Sequence, residues 1–247
     1  MRAMNDNRLK IKSHKYTTVV FVLIFLASSS TTHPQSLGGY SGLFTIPTAQ
    51  LPPDREVTSG VSYIDKTYLD YTNHERNIIS AYTSFTFLPF VELSLRINRQ
   101  LKFEGTNHNF DRVPSIRFRI TNDSGYLPAA VIGIHDFGTA FGGESAIHFH
   151  SFYVVFTKRM PERILFDNIE MTIGYGAKLL HAENYQFLGL FGGISFDLIK
   201  DCNLLLENDG MHTNSGIRIT LLNHFRLLGG FMNFKHFSGG LSYYYSI

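Results

Sequence analysis

The chain has 247 residues, of which 17% are charged and 14% aromatic, and it contains 22 Phe, 13 Tyr and one cysteine. This length is enough for one large β domain or two smaller domains with a substantial core. The formal net charge of +2 comes from the N-terminus, because without the five basic residues and one acidic residue of positions 1–29 it is −2. That balance removes the compositional support for nucleic-acid binding, and a single Cys202 cannot form a disulfide within the chain.

The first 29 residues have the order of a secretory signal peptide. Five Lys and Arg residues precede an uncharged, largely apolar run at positions 16–27, and small residues follow it. Twelve residues of helix span about 18 Å, which is less than the roughly 30 Å hydrocarbon core of a bilayer. We therefore expect a cleaved signal at residues 1–29, with an uncleaved N-terminal anchor as the alternative.

Residues 30–55 do not show a regular strand pattern. Positions 39–49 (GYSGLFTIPTA) combine β-forming residues with glycines and with a proline, which cannot donate a hydrogen bond to a sheet. This composition argues against an interior strand of a sheet. We expect the segment to lie inside a barrel or beneath its mouth, with Leu43, Phe44, Ile46 and Pro47 as a plug.

From residue 56 onward, apolar and polar residues alternate with a period of two. The alternation is clearest at 91–98, 115–121 and 169–178, and it marks strands with one apolar and one polar face. Turn-forming sequences separate twelve candidate strands, which start near positions 56, 77, 90, 113, 128, 148, 168, 187, 202, 213, 224 and 238. Residues 56–247 are therefore predicted to form one antiparallel all-β domain.

Two architectures fit this alternation. A soluble sandwich packs two apolar faces together, whereas a membrane barrel turns its apolar face to lipid and its polar face to a wet lumen. Segments of about ten residues and charges on the presumed inner face favour an antiparallel transmembrane β-barrel of about twelve strands. Aromatic residues near segment ends, expected at the membrane interfaces, are Tyr68, Tyr71, Phe85, Phe87 and 243–245. The candidate lumen-lining residues are Glu92, Arg96, Arg117, Arg119, Glu170, Lys178, Glu207 and Arg218.

The glycine-rich opening at 39–49 resembles the N-terminal signature of the YjbH-like family, outer-membrane proteins linked to exopolysaccharide production. The segments 127–138 (LPAAVIGIHDFG), 153–158 (YVVFTK), 206–210 (LENDG) and 214–218 (NSGIR) are similar to further segments of that family, in the same order. The resemblance implies a location in the outer membrane of a Gram-negative bacterium, in contact with outer-membrane lipid. It also implies a part in polysaccharide production, export or anchoring, with a polysaccharide and other export or assembly proteins as partners.

A catalytic or metal site has weaker support in the sequence. His148, His150 and Ser151 suggest a lipase pair, but neighbouring strand residues point to opposite faces, so His150 and Ser151 cannot simply face each other. The same histidines, even with His135 or Asp136, fall short of the converging ligands that zinc needs. We expect no catalytic residue, metal or other cofactor. The predicted function is a pore or binding wall, whose lumen arginines an acidic glycan could approach. The alternatives are a scaffold without transport and an outer-membrane lipase or deacylase that uses a Ser/His pair.

Overall fold

The computed structural model describes residues 35–68, 76–101, 110–138, 149–160 and 167–247. The expected signal at 1–29, together with Tyr71 and His148, lies outside these residues. Within the described ranges, no helix is long and apolar enough to cross a bilayer.

The described residues form thirteen strands, numbered here in chain order. They are β1 (Glu56–Ile64), β2 (Ile78–Phe87), β3 (Val91–Gln100), β4 (Phe110–Thr121), β5 (Ala129–His135), β6 (Phe149–Arg159), β7 (Asp167–Ala177), β8 (Asn184–Tyr185), β9 (Gly189–Ile199), β10 (Cys202–Asn208), β11 (Thr213–Leu221), β12 (Phe225–Met232) and β13 (His236–Ser246). The twelve predicted starting points lie within three residues of the starts of the twelve longer strands. Local alternation was sufficient to find these strands because their two faces meet different surroundings.

The twelve longer strands close into one antiparallel ring. Each pairs with the next in sequence, β7 pairs with β9 past the short β8, and β1 pairs with β13 to complete the ring. The two-residue β8 instead pairs in parallel with the first residues of β6. The predicted all-β, antiparallel barrel of about twelve strands is confirmed, and the sandwich alternative is wrong because the strands form a single closed sheet.

The two ends of the barrel differ in the lengths of their connections. At one end of the barrel, the strands are joined by turns at 88–90, 200–201 and 222–224. At the same end, the backbone N–H of Ile247 donates to Arg55 O over 3.0 Å. We call this end the short-turn end. The opposite end, which we call the long-loop end, holds the connections at 65–77, 136–148 and 178–188.

The barrel has an apolar outside and a charged inside. On β3, Leu93, Leu95 and Ile97 face outward and are 39–41% exposed, whereas Glu92 and Arg96 face inward and are 1% exposed. The same alternation runs through the other strands and places Ser, Thr, Glu and Arg side chains inside. This arrangement inverts that of a soluble protein, whose charges face water.

Charged side chains on the outer face stand only near strand ends in the described strands. They are Arg99, Arg112 and Lys158, each within three residues of the end of its strand. Exposed aromatic residues include Phe87, Tyr243 and Tyr245 near the short-turn end. The expectation that Tyr68 would lie at an interface is wrong, because this side chain packs against the interior core instead.

Candidate functional site

The interior of the barrel is occupied by residues 35–52, which we call the plug segment. Every residue from 35 to 49 is buried, and the segment contributes no strand to the wall. Leu43, Phe44 and Ile46 have no exposed surface, and Pro47 is buried beside them. The residues predicted as a plug therefore lie at the centre of the barrel.

The plug segment folds back on itself in two tight loops. Its own backbone supplies part of its hydrogen bonding, including Leu37 N to Phe44 O and Leu43 N to Ile46 O, both at 2.9 Å. Gly39 adopts a φ of +83°, a conformation that glycine reaches at low cost. A Cβ atom on Gly39 would also come within 2.6 Å of the Tyr82 Cβ atom, so the segment and the wall approach too closely here for any side chain.

Glycines in the wall make room for the apolar plug side chains. A Cβ on Gly193 of β9 would lie 2.6 Å from Leu43 Cδ1, and a Cβ on Gly216 of β11 would lie 2.7 Å from Phe44 Cδ2. Separations of this size are well inside van der Waals contact. The wall glycines therefore form two sockets, one for Leu43 and one for Phe44.

On one side of the barrel, an ion pair on the inner face binds the plug segment. Glu92 on β3 and Arg117 on β4 are register partners on the inner face, and Arg117 Nη1 lies 2.5 Å from Glu92 Oε2. Glu92 Oε1 accepts hydrogen bonds from the backbone N–H of Ser41 (2.9 Å) and from its hydroxyl (3.1 Å). Arg117 donates to Ser41 O over 2.9 Å and also to Thr48 O. Both charges of this buried pair thus have hydrogen-bond partners in the plug as well as in each other, which offsets part of the cost of burying them.

On the opposite side of the barrel, a second carboxylate binds the plug segment. Glu207 on β10 accepts backbone N–H bonds from Phe44 (2.9 Å), Thr45 (2.8 Å) and Ile46 (3.3 Å), and it also accepts the Thr45 hydroxyl. Three successive N–H groups converging on one anion form a concave anion site of the kind made by backbone nests. Arg218 on β11 donates to Gly42 O and Leu43 O at 2.7 and 2.9 Å.

These two walls lie across the barrel from each other. Four strands separate β4 from β10 in one direction, and four separate β11 from β3 in the other. We call Glu92, Arg117, Glu207 and Arg218 the clamp residues. The clamp holds both sides of the plug through buried, charge-assisted hydrogen bonds, which are stronger than neutral ones.

The other four predicted lumen residues lie in different surroundings. Arg119 is half-buried and donates to Leu51 O over 2.9 Å, near the end of the plug. Glu170 pairs with the Arg159 side chain at 2.6 Å. Lys178 does not line the interior: it follows the end of β7, is exposed, and holds its Nζ 4.5 Å from the centre of the Tyr185 ring. Arg96 is 1% exposed, and its guanidinium has no hydrogen-bond partner among the described residues.

Aromatic side chains whose interior position the sequence did not predict cluster on the plug toward the long-loop end. Tyr40 donates its hydroxyl to Thr45 O over 2.7 Å, and the Tyr68 hydroxyl lies 3.5 Å from that of Tyr40. Tyr40 meets the ring of Phe187 edge-on, with centroids 6.1 Å apart. Burial raises the pKa of Tyr40 and of Tyr68 well above the usual value of a phenol, so both remain neutral hydrogen-bonding groups. Tyr40 lies in the glycine-rich motif itself, whereas no sequence pattern marks the inward turn of Phe187.

Residues 35–187 match the YjbH family, described as "Exopolysaccharide biosynthesis protein YbjH". This range covers more than half of the chain. The chain belongs to the YjbH family. The match begins with the plug segment and includes Glu92 and Arg117, whereas Glu207, Arg218 and the similar segments at 206–210 and 214–218 lie outside it. A comparison with curated proteins finds no match to the chain.

Of the suggested lipase residues, the structure describes His150 and Ser151, and these two side chains are not hydrogen-bonded to each other in this YjbH-family barrel. His150 Nδ1 lies 3.2 Å from Asp136 O, and Ser151 is fully buried with no hydrogen-bond partner for its hydroxyl in the described part of the chain. His135 Nδ1 is bonded to the Ser115 hydroxyl at 2.8 Å. Across the described ranges, no three His, Cys, Asp or Glu side chains converge as metal ligands would.

Proposed function

We propose that this YjbH-family barrel spans the outer membrane of a Gram-negative bacterium and takes part in producing, exporting or anchoring surface polysaccharide. In this proposal the inner face of the barrel is the binding surface, and the plug segment closes the lumen. The barrel becomes a pore only when the plug segment leaves the lumen. The observation that carries the proposal is the charged interior, filled by a clamped N-terminal segment, beneath an apolar exterior.

The outer face supports the membrane part of the proposal. Lipid cannot hydrogen-bond to a backbone, so a spanning sheet must close on itself and present apolar side chains outward. The described strands do both, with outward-facing charges only at Arg99, Arg112 and Lys158 near strand ends. Outer-membrane lipid is therefore the surrounding that suits this surface.

The clamp supports the closed state of the lumen. Arg117 and Arg218 bind carbonyl oxygens of the plug, and Glu92 and Glu207 bind its N–H groups. An acidic glycan entering the lumen would compete for these arginines, since guanidinium groups recognise carboxylates well. Competition of this kind would couple glycan binding to release of the plug. No catalytic step is part of the proposal.

The location is tested by fractionating cells that express the full chain. We expect the protein in the outer-membrane fraction, migrating as a compact species on unboiled gels and more slowly after boiling, because closed barrels resist detergent until heated. Recovery in the soluble or inner-membrane fraction, or a mobility that heating does not change, would overturn the proposal.

A scaffold that never opens is a second candidate function, and the burial of the plug segment inside the barrel favours it. The two candidates differ in whether the plug must move. Ala49 N donates to the Thr157 hydroxyl over 2.8 Å, so these two residues are in contact, and we choose them as the cysteine positions for tying the plug to β6. With Cys202 replaced by Ser, the Ala49→Cys plus Thr157→Cys variant locks the plug under oxidation, and Ala49→Cys alone is the control.

In cells that depend on this protein for surface polysaccharide, we expect the locked variant to stop polysaccharide output and a reductant to restore it. Output that continues with the disulfide formed would show that the barrel acts as a scaffold.

A further inference from the structure

Two arginines on the outer face of the barrel lie at the long-loop end. Arg99 is the next-to-last residue of β3 and Arg112 is the third residue of β4, and β3 ends and β4 begins at the long-loop end. Both side chains face outward and are exposed. The remaining outward-facing charge in the described strands, Lys158, lies at the short-turn end and is paired with Asp123 at 2.7 Å. The outer face near the long-loop end therefore carries two positive charges on a surface that is otherwise apolar.

The two arginines are close to each other and have no carboxylate partner in the described part of the chain. Arg99 is the register partner of Phe110, and Arg112 is that of Ile97, so the two arginines are diagonal neighbours on adjacent strands. The Cα atoms of diagonal neighbours are about 7–8 Å apart, within reach of long side chains. The ion pairs among the described residues include neither guanidinium, and the Arg99 Cζ atom lies 5.8 Å from the centre of the Phe110 ring. Two like charges at this spacing repel each other, more strongly in the low-dielectric surroundings of a membrane than in water, and an anion bound between them removes that repulsion.

An apolar surface continues from the two arginines toward the middle of the barrel. On β3, Leu95 and Ile97 face outward, and each is 39% exposed. On β4, Pro114 and Ile116 face outward beside them. A ligand that matches this surface needs an anionic group at the arginines and apolar chains that extend from it toward the middle of the barrel. A lipid with an anionic headgroup has both.

We propose that Arg99 and Arg112 bind a phosphate group of a phosphorylated, multiply acylated glycolipid in the outer leaflet. Guanidinium groups bind phosphate oxygens through paired, parallel hydrogen bonds, which gives them both affinity and fixed geometry. The acyl chains of the lipid pack on the apolar outer face of β3 and β4. The site lies in the outer leaflet because outer-membrane barrels have short periplasmic turns and longer loops outside the cell. The inference rests on the membrane location in the proposed function and does not depend on a part in polysaccharide production.

The test measures lipid binding to the purified full chain in detergent micelles by native mass spectrometry. The probes are lipid A, lipid A from which the phosphate groups have been removed, and phosphatidylglycerol. Arg99→Gln and Arg112→Gln are tested singly and together, since each keeps a long polar side chain and removes the charge. Arg55→Gln is the matched control, because the Arg55 side chain is 71% exposed and lies at the opposite, short-turn end. Heat-modifiable migration on gels verifies that each variant is folded.

We expect lipid A to form a one-to-one complex with the wild type, and dephosphorylated lipid A and phosphatidylglycerol to bind more weakly. Each single substitution should lower the affinity for lipid A about tenfold, because it removes charge-assisted hydrogen bonds to the phosphate. The double substitution should lower the affinity to that of dephosphorylated lipid A, and Arg55→Gln should leave it unchanged. Equal binding of the two forms of lipid A, tighter binding of phosphatidylglycerol, unchanged affinity in the double variant, or an equal loss with Arg55→Gln would overturn the site.

The lipid site and the proposed function can fail separately. If the double variant loses lipid A while cells without the protein make and export polysaccharide normally, the lipid site stands and the part in polysaccharide production falls. If those cells lose polysaccharide while the double variant binds lipid A as the wild type does, the proposed function stands and the lipid site falls.

Discussion

Glu207 shows how much of the plug depends on a single side chain. Its two oxygens accept three successive backbone N–H groups and one hydroxyl of the plug, and the residue is 2% exposed. The alternation of β10 predicts that Glu207 faces inward. It does not predict the partners, because Phe44 lies 163 residues away in the sequence.

We expect Glu207→Gln to destabilise the folded barrel by about 3 kcal/mol, because the amide nitrogen would face N–H donors that the carboxylate now accepts. A loss of this size lowers the temperature of the gel-mobility transition by something on the order of 10 °C. Glu170→Gln is the control, since Glu170 pairs with an Arg159 side chain that is 55% exposed, and its loss should cost below about 1 kcal/mol. Equal shifts for the two variants would show that Glu207 does not hold the plug.

At the scale of elements, the plug segment and the wall are matched in shape. The glycines and Pro47 exclude residues 39–49 from a regular strand, which the sequence alone indicates. The sockets at Gly193 and Gly216 could not be predicted, because a glycine within a strand can equally mark a β-bulge or simply lower the stability of the strand. Only the position of Leu43 and Phe44 inside the barrel explains why those two wall positions lack side chains.

Gly216→Ala should destabilise the barrel by about 1–3 kcal/mol, because the new methyl group meets the Phe44 ring. In a Phe44→Ala background the same substitution should cost clearly less, which a double-mutant cycle of thermal transitions measures. Gly229→Ala is the control, because its Cβ would meet only Phe237 Cε2, at 3.8 Å. This substitution should therefore change the transition temperature very little. Additive effects of Gly216→Ala and Phe44→Ala would contradict the socket.

For the whole molecule, closure of the ring and the plug together decide whether the barrel conducts. A ring of twelve strands encloses a lumen, and the plug segment fills it with contacts to opposite walls. The charged inner face alone would suggest an open, water-filled channel. The structure instead shows a lumen that holds the plug segment, bound from both sides by the clamp.

We expect the full-length wild type to give no steady current in a planar bilayer, because the plug occupies the lumen. The Glu92→Gln plus Glu207→Gln variant should give stepwise openings, since both carboxylates that hold the plug N–H groups are neutralised. Arg117→Ser plus Arg119→Ser should also increase openings by releasing Ser41 and Leu51. The Glu170→Gln control should give no current. A steady current through the wild type would contradict closure of the lumen by the plug.

The sequence by itself determined the strands, their two faces and the exclusion of residues 39–49 from the wall. These features are local, since each depends on a period of two or on the backbone limits of Gly and Pro. The tertiary structure alone decided that Glu92 and Glu207 grip one segment from opposite walls, that Tyr68 turns inward and that Lys178 stays outside. Those outcomes depend on ring closure and strand register, which join residues far apart in the chain and leave no periodic trace in it.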